Sequence, residues 1–199
     1  MLTAVAFLLV ILLATAARAE ERPTMRQLAP AGPLPPPPSQ RDLVDARAVL
    51  KARFKEPLSH TETASGARVA ADTLLAAAQE ETHAAVKWLM LDEARRLGAA
   101  AGSAEIVTRA ITLTSAVFDV DELAVELESL AGIPLRGLDP ARAARVAEAA
   151  ERLAARAGTD GRNDLGRAAL SLASKAWQRA GNPTAAKRVQ MQGQAAGAL

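Results

Sequence analysis

Repeated helix corners are the feature of this sequence that most constrains its fold. The pair Ala-Gly followed by Ser, Thr or Asn occurs at Ala101-Gly102-Ser103, Ala157-Gly158-Thr159 and Ala180-Gly181-Asn182. Glycine just past the last helical residue can take the left-handed conformation that ends a helix, and the polar residue after it can cap the next helix. Ala131-Gly132 is a fourth predicted stop. The chain is therefore predicted to fold as a row of short helices joined by tight corners.

Composition favours the same fold class and excludes several functions. Alanine, the residue with the highest helix propensity, makes up roughly a quarter of the chain, whereas only 3% of residues are aromatic. The formal net charge is +2 and arginines alternate with acidic residues, which predicts neither nucleic-acid binding nor a charged membrane-binding face. The absence of cysteine excludes disulfides, thiolate chemistry and a lipoprotein anchor. We expect an all-α protein.

The amino-terminal 39 residues divide into two predicted segments. Residues 1–19 combine an apolar run with the small-residue motif Ala17-Arg18-Ala19, which predicts a signal peptide cleaved before Glu20 and a secreted or periplasmic protein. The apolar run is shorter than the ~20 residues that span a bilayer. No basic residue precedes it, so an uncleaved membrane anchor is the alternative. Residues 20–39 contain four consecutive prolines and are predicted to be a disordered linker rather than a recognition peptide.

Residues 40–199 are predicted to form one α-helical domain of about seven or eight antiparallel helices. Ser39 and Asp42 predict a capping box at the first helix, Asp119 is the predicted cap of the fifth, and Asp139 that of the sixth. The fourth helix, 104–118, has two adjacent apolar stripes and is predicted to lie at the centre. The architecture is either a tetratricopeptide-like α-solenoid of helix hairpins or an irregular helical bundle.

The stretch "LGAAAGSAE", residues 97–105, raises the question of a phosphate-binding loop. A P-loop requires a lysine where Ser103 stands, and a single phosphate loop would not recur at several helix ends. We therefore interpret this stretch as a corner between two helices.

Five short motifs between residues 50 and 125 resemble the helical, tetratricopeptide-like domain of secreted planctomycete-type proteins of unknown function. They are Phe54-Lys55-Glu56, Leu74-Leu75, Leu91-Asp92-Glu93-Ala94, Ala101-Gly102 and Phe118-Asp119-Val120-Asp121. The chain departs from that pattern at "ETHAAVKW", residues 81–88, where many relatives have an acidic stretch. The resemblance implies a helical accessory domain without established activity, and it assigns no catalytic residue.

Trp88 and Trp177 are the candidate partner-binding residues. Tryptophan often anchors protein interfaces, and this chain has only two. The alternative, which we favour, is that each indole fills a gap between alanine-rich helices.

No metal, cofactor or catalytic site is expected. His60 and His83 are the only histidines, lie in polar surroundings and lack cysteine partners, and Ser59 beside His60 does not make a catalytic triad. The acidic clusters are interpreted as helix caps and surface ion pairs, and the arginines as a solvated helix face. The acidic clusters are Asp92-Glu93, Asp119/Asp121-Glu122 and Glu126/Glu128. The expected ion pairs are Glu93 with Arg96 or Arg95, and Glu148 with Arg152. The arginines expected on the solvated face are Arg142, Arg145, Arg152 and Arg156.

The expected function is therefore a non-enzymatic, secreted or periplasmic module for protein–protein interaction or scaffolding, with an unknown protein partner. The alternative is a structural component of the cell envelope, held by an uncleaved N-terminal anchor. A third possibility, an envelope hydrolase, requires a pocket in which carboxylates converge.

Overall fold

A computed structural model describes residues 32–195 of the chain. The predicted signal peptide at 1–19 and residues 20–31 of the predicted linker lie outside the described residues. The helical unit begins at Leu34, and its first residues, up to Ser39, form an extended segment. Within 32–195, no helix has the length and apolarity needed to cross a membrane.

The described chain is all-helical, as predicted, and residues 32–195 contain no β-strand. The helices are α1 Gln40–Arg53, α2 Lys55–Leu58, α3 Ala64–Glu80, α4 Ala84–Ala100, α5 Ala104–Ser115, α6 Glu122–Ala131, α7 Pro140–Thr159, α8 Asn163–Arg179 and α9 Pro183–Ala195, with a 3-10 turn at Leu135–Gly137 between α6 and α7.

Three of the four predicted glycine stops, Gly102, Gly132 and Gly181, are confirmed as helix ends, two of them with a left-handed glycine. Gly102 and Gly181 adopt φ values of +68° and +75°, in the left-handed region. The residues that follow them cap the next helices: Ser103 Oγ accepts from the amide of Ile106, and Asn182 Oδ1 accepts from the amide of Ala185.

The remaining predicted stop is wrong. Gly158 lies inside α7, and the left-handed residue at that corner is Gly161, with φ +71°. Thr159 is likewise helical and does not cap α8, because its hydroxyl donates to the carbonyl of Ala155 in the preceding turn. Burial of Ala157 on the core face of α7 favours continuation of the helix beyond the predicted stop. Gly132 has φ −72°, so the chain leaves α6 without a left-handed residue.

The predicted cap at Asp119 is also wrong. Helix α5 ends at Ser115, so a longer corner precedes α6, and Asp121 caps α6 by accepting from the amide of Ala124 at 3.1 Å. The amide of Asp119 instead donates to the carbonyl of Pro35 at 2.8 Å. This bond ties the extended proline-rich segment to the corner between α5 and α6.

The central position of α5 is confirmed. Its residues Ile106 and Ala110 belong to a core cluster shared with α1, α3 and α4. Val107 and Ile111, on its adjacent stripe, belong to a second cluster built with α6, α7, α8 and α9. A twelve-residue helix with two apolar stripes therefore joins the two halves of the hydrophobic core.

Candidate functional site

The structure places Trp88 in the wall of a small cleft beside the α5–α6 corner. The cleft has a volume of about 140 Å³ and is bounded by α4, α5, α6 and the corner before α6. On α4, a spacing of four and then three residues puts three cleft-lining side chains on one face of the helix. The cleft is lined by Trp88, Asp92 and Arg95 from α4, Ile111 and Thr114 from α5, Val120 from the corner, and Val125 and Glu128 from α6.

The apolar wall of the cleft is held by aromatic packing. Trp88 is half-buried, and its ring meets the edge of Phe118 with the centroids 5.1 Å apart and the planes at 90°. Phe118 is fully buried, so the indole rests on a fixed support. Such edge-to-face pairs contribute about 0.5–1.5 kcal/mol beyond the area they bury. Trp88 therefore fills a gap in the core, and it also presents part of its surface to the cleft.

The rim of the cleft is ionic. Arg95 donates to Asp92 Oδ1 at 2.6 Å and to the hydroxyl of Ser129 at 2.8 Å. The Ser129 hydroxyl is itself anchored, because it donates to the carbonyl of Val125 at 2.6 Å. Glu128 is exposed, and its side chain makes no hydrogen bond or ion pair among residues 32–195. Since Arg95 and Asp92 balance each other, Glu128 leaves the rim with excess negative charge.

Trp177 occupies a different environment. It packs against the second core cluster, and its indole Nε1 donates to Glu151 Oε1 at 2.5 Å. Glu151 also accepts from Arg188 at 2.9 Å, which links α7, α8 and α9. The indole N–H of Trp177 therefore already has its hydrogen-bond acceptor within the domain. The structure does not bring the two tryptophans to one site, and the gap-filling interpretation describes Trp177 best.

The acidic residues at the start of α6 form ion pairs with arginines that follow them by 30 or more positions. Arg156 contacts both Glu122, at 2.7 Å, and Glu126. Glu126 is only 2% exposed and also accepts from the hydroxyl of Thr108 at 2.9 Å. Arg156 is exposed, as the sequence predicted, and it is also the counter-ion of a buried carboxylate.

The remaining predicted ion pairs have mixed outcomes. Glu93 pairs with Arg96 at 3.0 Å, as expected, whereas Arg95 is engaged by Asp92 instead. Among the described residues, Glu148 and Arg152 form no ion pair. Both lie exposed on α7.

The cleft at the start of α6, of about 610 Å³, does bring three carboxylates together, but two of them, Asp121 and Glu122, form ion pairs with arginines. Asp121 accepts from Arg162 at 3.0 Å, and this hydrogen bond, together with the one from the amide of Ala124, lowers the pKa of Asp121. A general acid in a hydrolase requires the opposite shift.

The histidines lie apart from any cluster of ligands. His60 is exposed, with Nε2 at 4.0 Å from Glu56, and His83 precedes α4 without capping it through its side chain. Nowhere in 32–195 do three or more His, Asp or Glu side chains converge as metal ligands would.

Sequence reasoning identified Trp88 but missed the residues around it. Asp92 follows Trp88 by four residues and Arg95 follows Asp92 by three, a spacing that predicts all three side chains on one face of a helix. Val120 and Glu128 could not be identified from the sequence, because their place in the cleft depends on how α6 folds back after the corner.

Comparison with known proteins adds no relative: no protein family, curated protein or solved structure matches this chain.

Proposed function

We propose that this chain is a non-enzymatic protein-interaction module whose contact point is the cleft beside Trp88. The observation that carries the proposal is a half-buried indole, fixed on Phe118, that lines a cleft with an apolar wall and a charged rim. Fixed aromatic side chains in partly desolvated pockets are where protein interfaces concentrate their binding energy. In the cleft at the start of α6, the lowered pKa of Asp121 and the ion pair of Glu122 with Arg156 argue against a hydrolase.

The size and charge of the cleft define the partner group it would accept. A volume of about 140 Å³ accommodates one side chain rather than a peptide segment. The aliphatic stem of a partner's lysine or arginine would lie along Trp88 and Val120, and its charge would meet the free carboxylate of Glu128. The partner is therefore a protein with an exposed basic side chain.

The helices pack in a way that supports a tetratricopeptide-like arrangement. Most neighbours in sequence are neighbours in space, and several contacts link helices two apart, such as α5 with α7 and α6 with α8. Stacked hairpins of this kind make extended binding surfaces. Together with the motifs shared with the secreted planctomycete-type domain, this packing favours the repeat module over an irregular bundle.

A secreted or periplasmic location, directed by the segment 1–19, is part of the same proposal. The alternative is an envelope structural component that keeps this segment as an anchor. The intact mass of the exported protein separates the two, since cleavage before Glu20 removes 19 residues and retention leaves the full mass.

The binding proposal is tested by crosslinked capture from envelope and medium, using the full chain with a carboxyl-terminal tag as bait. Glu128→Lys reverses the charge at the cleft, and Glu148→Lys makes the same charge change at an exposed residue of α7. We expect one protein to be captured by the unmodified chain and by Glu148→Lys, and to be lost with Glu128→Lys.

A second readout uses the captured protein in purified form. In a Trp177→Phe background Trp88 is the sole tryptophan, and its emission should shift to shorter wavelength when the partner covers it. Equal capture by the two charge variants, or binding that leaves the emission of Trp88 unchanged, would overturn the assignment of this cleft.

A further inference from the structure

A second cleft lies at the corner between α4 and α5, distinct from the one beside Trp88. Its volume is about 100 Å³, and it is enclosed by the beginnings of α3 and α5 and by one side of α7. Three arginines from two helices face it, one from α3 and two from α7. The lining residues are Ala64, Ser65 and Arg68; Ala101, Gly102, Ser103, Ala104 and Glu105; and Arg142 and Arg145.

The cleft carries an excess of positive charge. The only carboxylate in its lining is that of Glu105, which is 72% exposed and 3.8 Å from Arg68. Arg142 lies 3.3 Å from Asp139, outside the lining, and donates to the carbonyl of Ala101. The guanidinium of Arg145 makes no hydrogen bond or ion pair within the described part of the chain. Two positive charges therefore remain uncompensated by the lining residues.

Backbone amides add to this charge. The first N–H groups of a helix have no acceptor within the helix. In α3 and α5, the cap side chains of Thr63 and Ser103 accept only from the third residue of each helix. The N–H groups of the first two residues, Ala64 and Ser65 in α3 and Ala104 and Glu105 in α5, have no such acceptor, and all four residues line the cleft.

We propose that this cleft binds a tetrahedral oxyanion, a phosphate or sulfate group. Three guanidinium groups are the donors that such groups prefer, because each presents a fork of N–H bonds to two oxygens. A cavity needs about 10–15 Å³ of such space to hold one water molecule, so about 100 Å³ has room for an ion of four oxygens. The corner is not a P-loop; its charge comes from arginines that α3 and α7 bring to it.

The test is a titration of the full, isotope-labelled chain with inorganic phosphate, followed through the amide resonances in low-salt buffer. We expect saturable shifts at Ala64, Ser65, Ala104 and Glu105. Sodium chloride at matched ionic strength should leave these resonances in place. Sulfate and glycerol 3-phosphate are titrated in parallel: tighter binding of the ester identifies the terminal group of a larger ligand, and preference for the inorganic ions identifies a free anion.

Charge variants distinguish a specific binding site from the general attraction of anions to a basic protein. Arg68→Gln with Arg145→Gln should weaken phosphate binding about tenfold or more, since each arginine donates charge-assisted hydrogen bonds. Arg41→Gln with Arg47→Gln removes the same charge from exposed positions of α1 and should leave the affinity unchanged. Glu105→Gln should tighten binding a few-fold. Circular dichroism checks that each variant folds.

The inference is overturned if the four amides show no saturable shift up to about 50 mM phosphate, a concentration that already detects very weak binding. It is equally overturned if chloride produces the same shifts, or if the two double variants lose affinity to the same extent. None of these outcomes depends on the function proposed for the Trp88 cleft.

Discussion

Replacement of Gly102 by alanine should destabilise the domain more than the same replacement at Gly181. Both glycines have left-handed φ values, +68° and +75°, and a non-glycine residue in that region costs roughly 1–2 kcal/mol. The surroundings differ. A Cβ at position 181 meets no atom within 4 Å, whereas at position 102 it would lie 2.2 Å from Cδ2 of Leu138.

The difference between the variants isolates the contact with Leu138. This leucine is 5% exposed, so its displacement overpacks the core and adds about 1–3 kcal/mol. For a domain of this size, 1 kcal/mol corresponds to about 2–4 °C in Tm. We expect Gly181→Ala to lower Tm by a few degrees and Gly102→Ala to lower it by roughly twice as much or more.

Thermal unfolding followed by circular dichroism measures both shifts, and a Leu138→Ala background serves as the control. Once the Cδ2 atom is removed, the added cost of Gly102→Ala should fall to that of Gly181→Ala. Equal Tm shifts in the unmodified background would refute the close packing of Leu138 over this corner. An unchanged Tm for Gly102→Ala would refute the left-handed conformation itself.

Three further changes test other elements of the structure. Gly158→Ala should stabilise the protein by about 0.5–1 kcal/mol in urea unfolding, because Gly158 is helical and its Cβ meets open space; destabilisation would reinstate the helix stop predicted from sequence. Asp121→Asn keeps an oxygen that can cap α6 but removes the charge that Arg162 stabilises. Because the folded pKa of Asp121 lies below its ordinary value of 3.8, the charge stabilises the fold above that pH and loses its effect as the pH falls through the folded pKa. The variant should therefore be less stable at pH 7 by up to about 1 kcal/mol, and the gap should close as the pH falls through the folded pKa; a gap independent of pH would contradict this assignment. Arg156→Met should cost about 1–3 kcal/mol by leaving Glu126 buried without its counter-ion, and adding Glu126→Gln should recover part of that loss; purely additive effects would show that the two side chains do not interact.

The features predicted correctly from sequence depend on a few adjacent residues. Ser39 and Asp42 form the predicted capping box, and Asp139 caps α7 directly before Pro140. Gly102 ends its helix as the Ala-Gly motif indicates. Each of these signals is contained within one helical turn, where propensity and capping decide the structure.

The features that sequence reasoning missed depend on residues distant in the chain. Ala157-Gly158-Thr159 carries the same local signal as the other corners, yet burial of Ala157 against α8 favours two further helical residues, and the left-handed glycine is Gly161. The charge of Glu126 likewise gives no indication of burial until α7 brings Arg156 to it. Tertiary packing overrides local preference in both cases.

The small side chains of this protein also explain where its clefts lie. Alanine-rich helix faces approach closely and leave little space between them, as at Gly98, where an added Cβ would lie 2.5 Å from Ile106. The two clefts described above lie instead beside corners between helices. The arginine-lined cleft lies at the amino-terminal end of α5, and the Trp88 cleft is lined by Ile111 and Thr114 toward its carboxyl-terminal end. Because the helix between them is buried in both core clusters, each cleft has a rigid wall prepared by folding. Binding at either site would then require little loss of conformational entropy from the protein. A small cleft can bind selectively when that entropy cost is low.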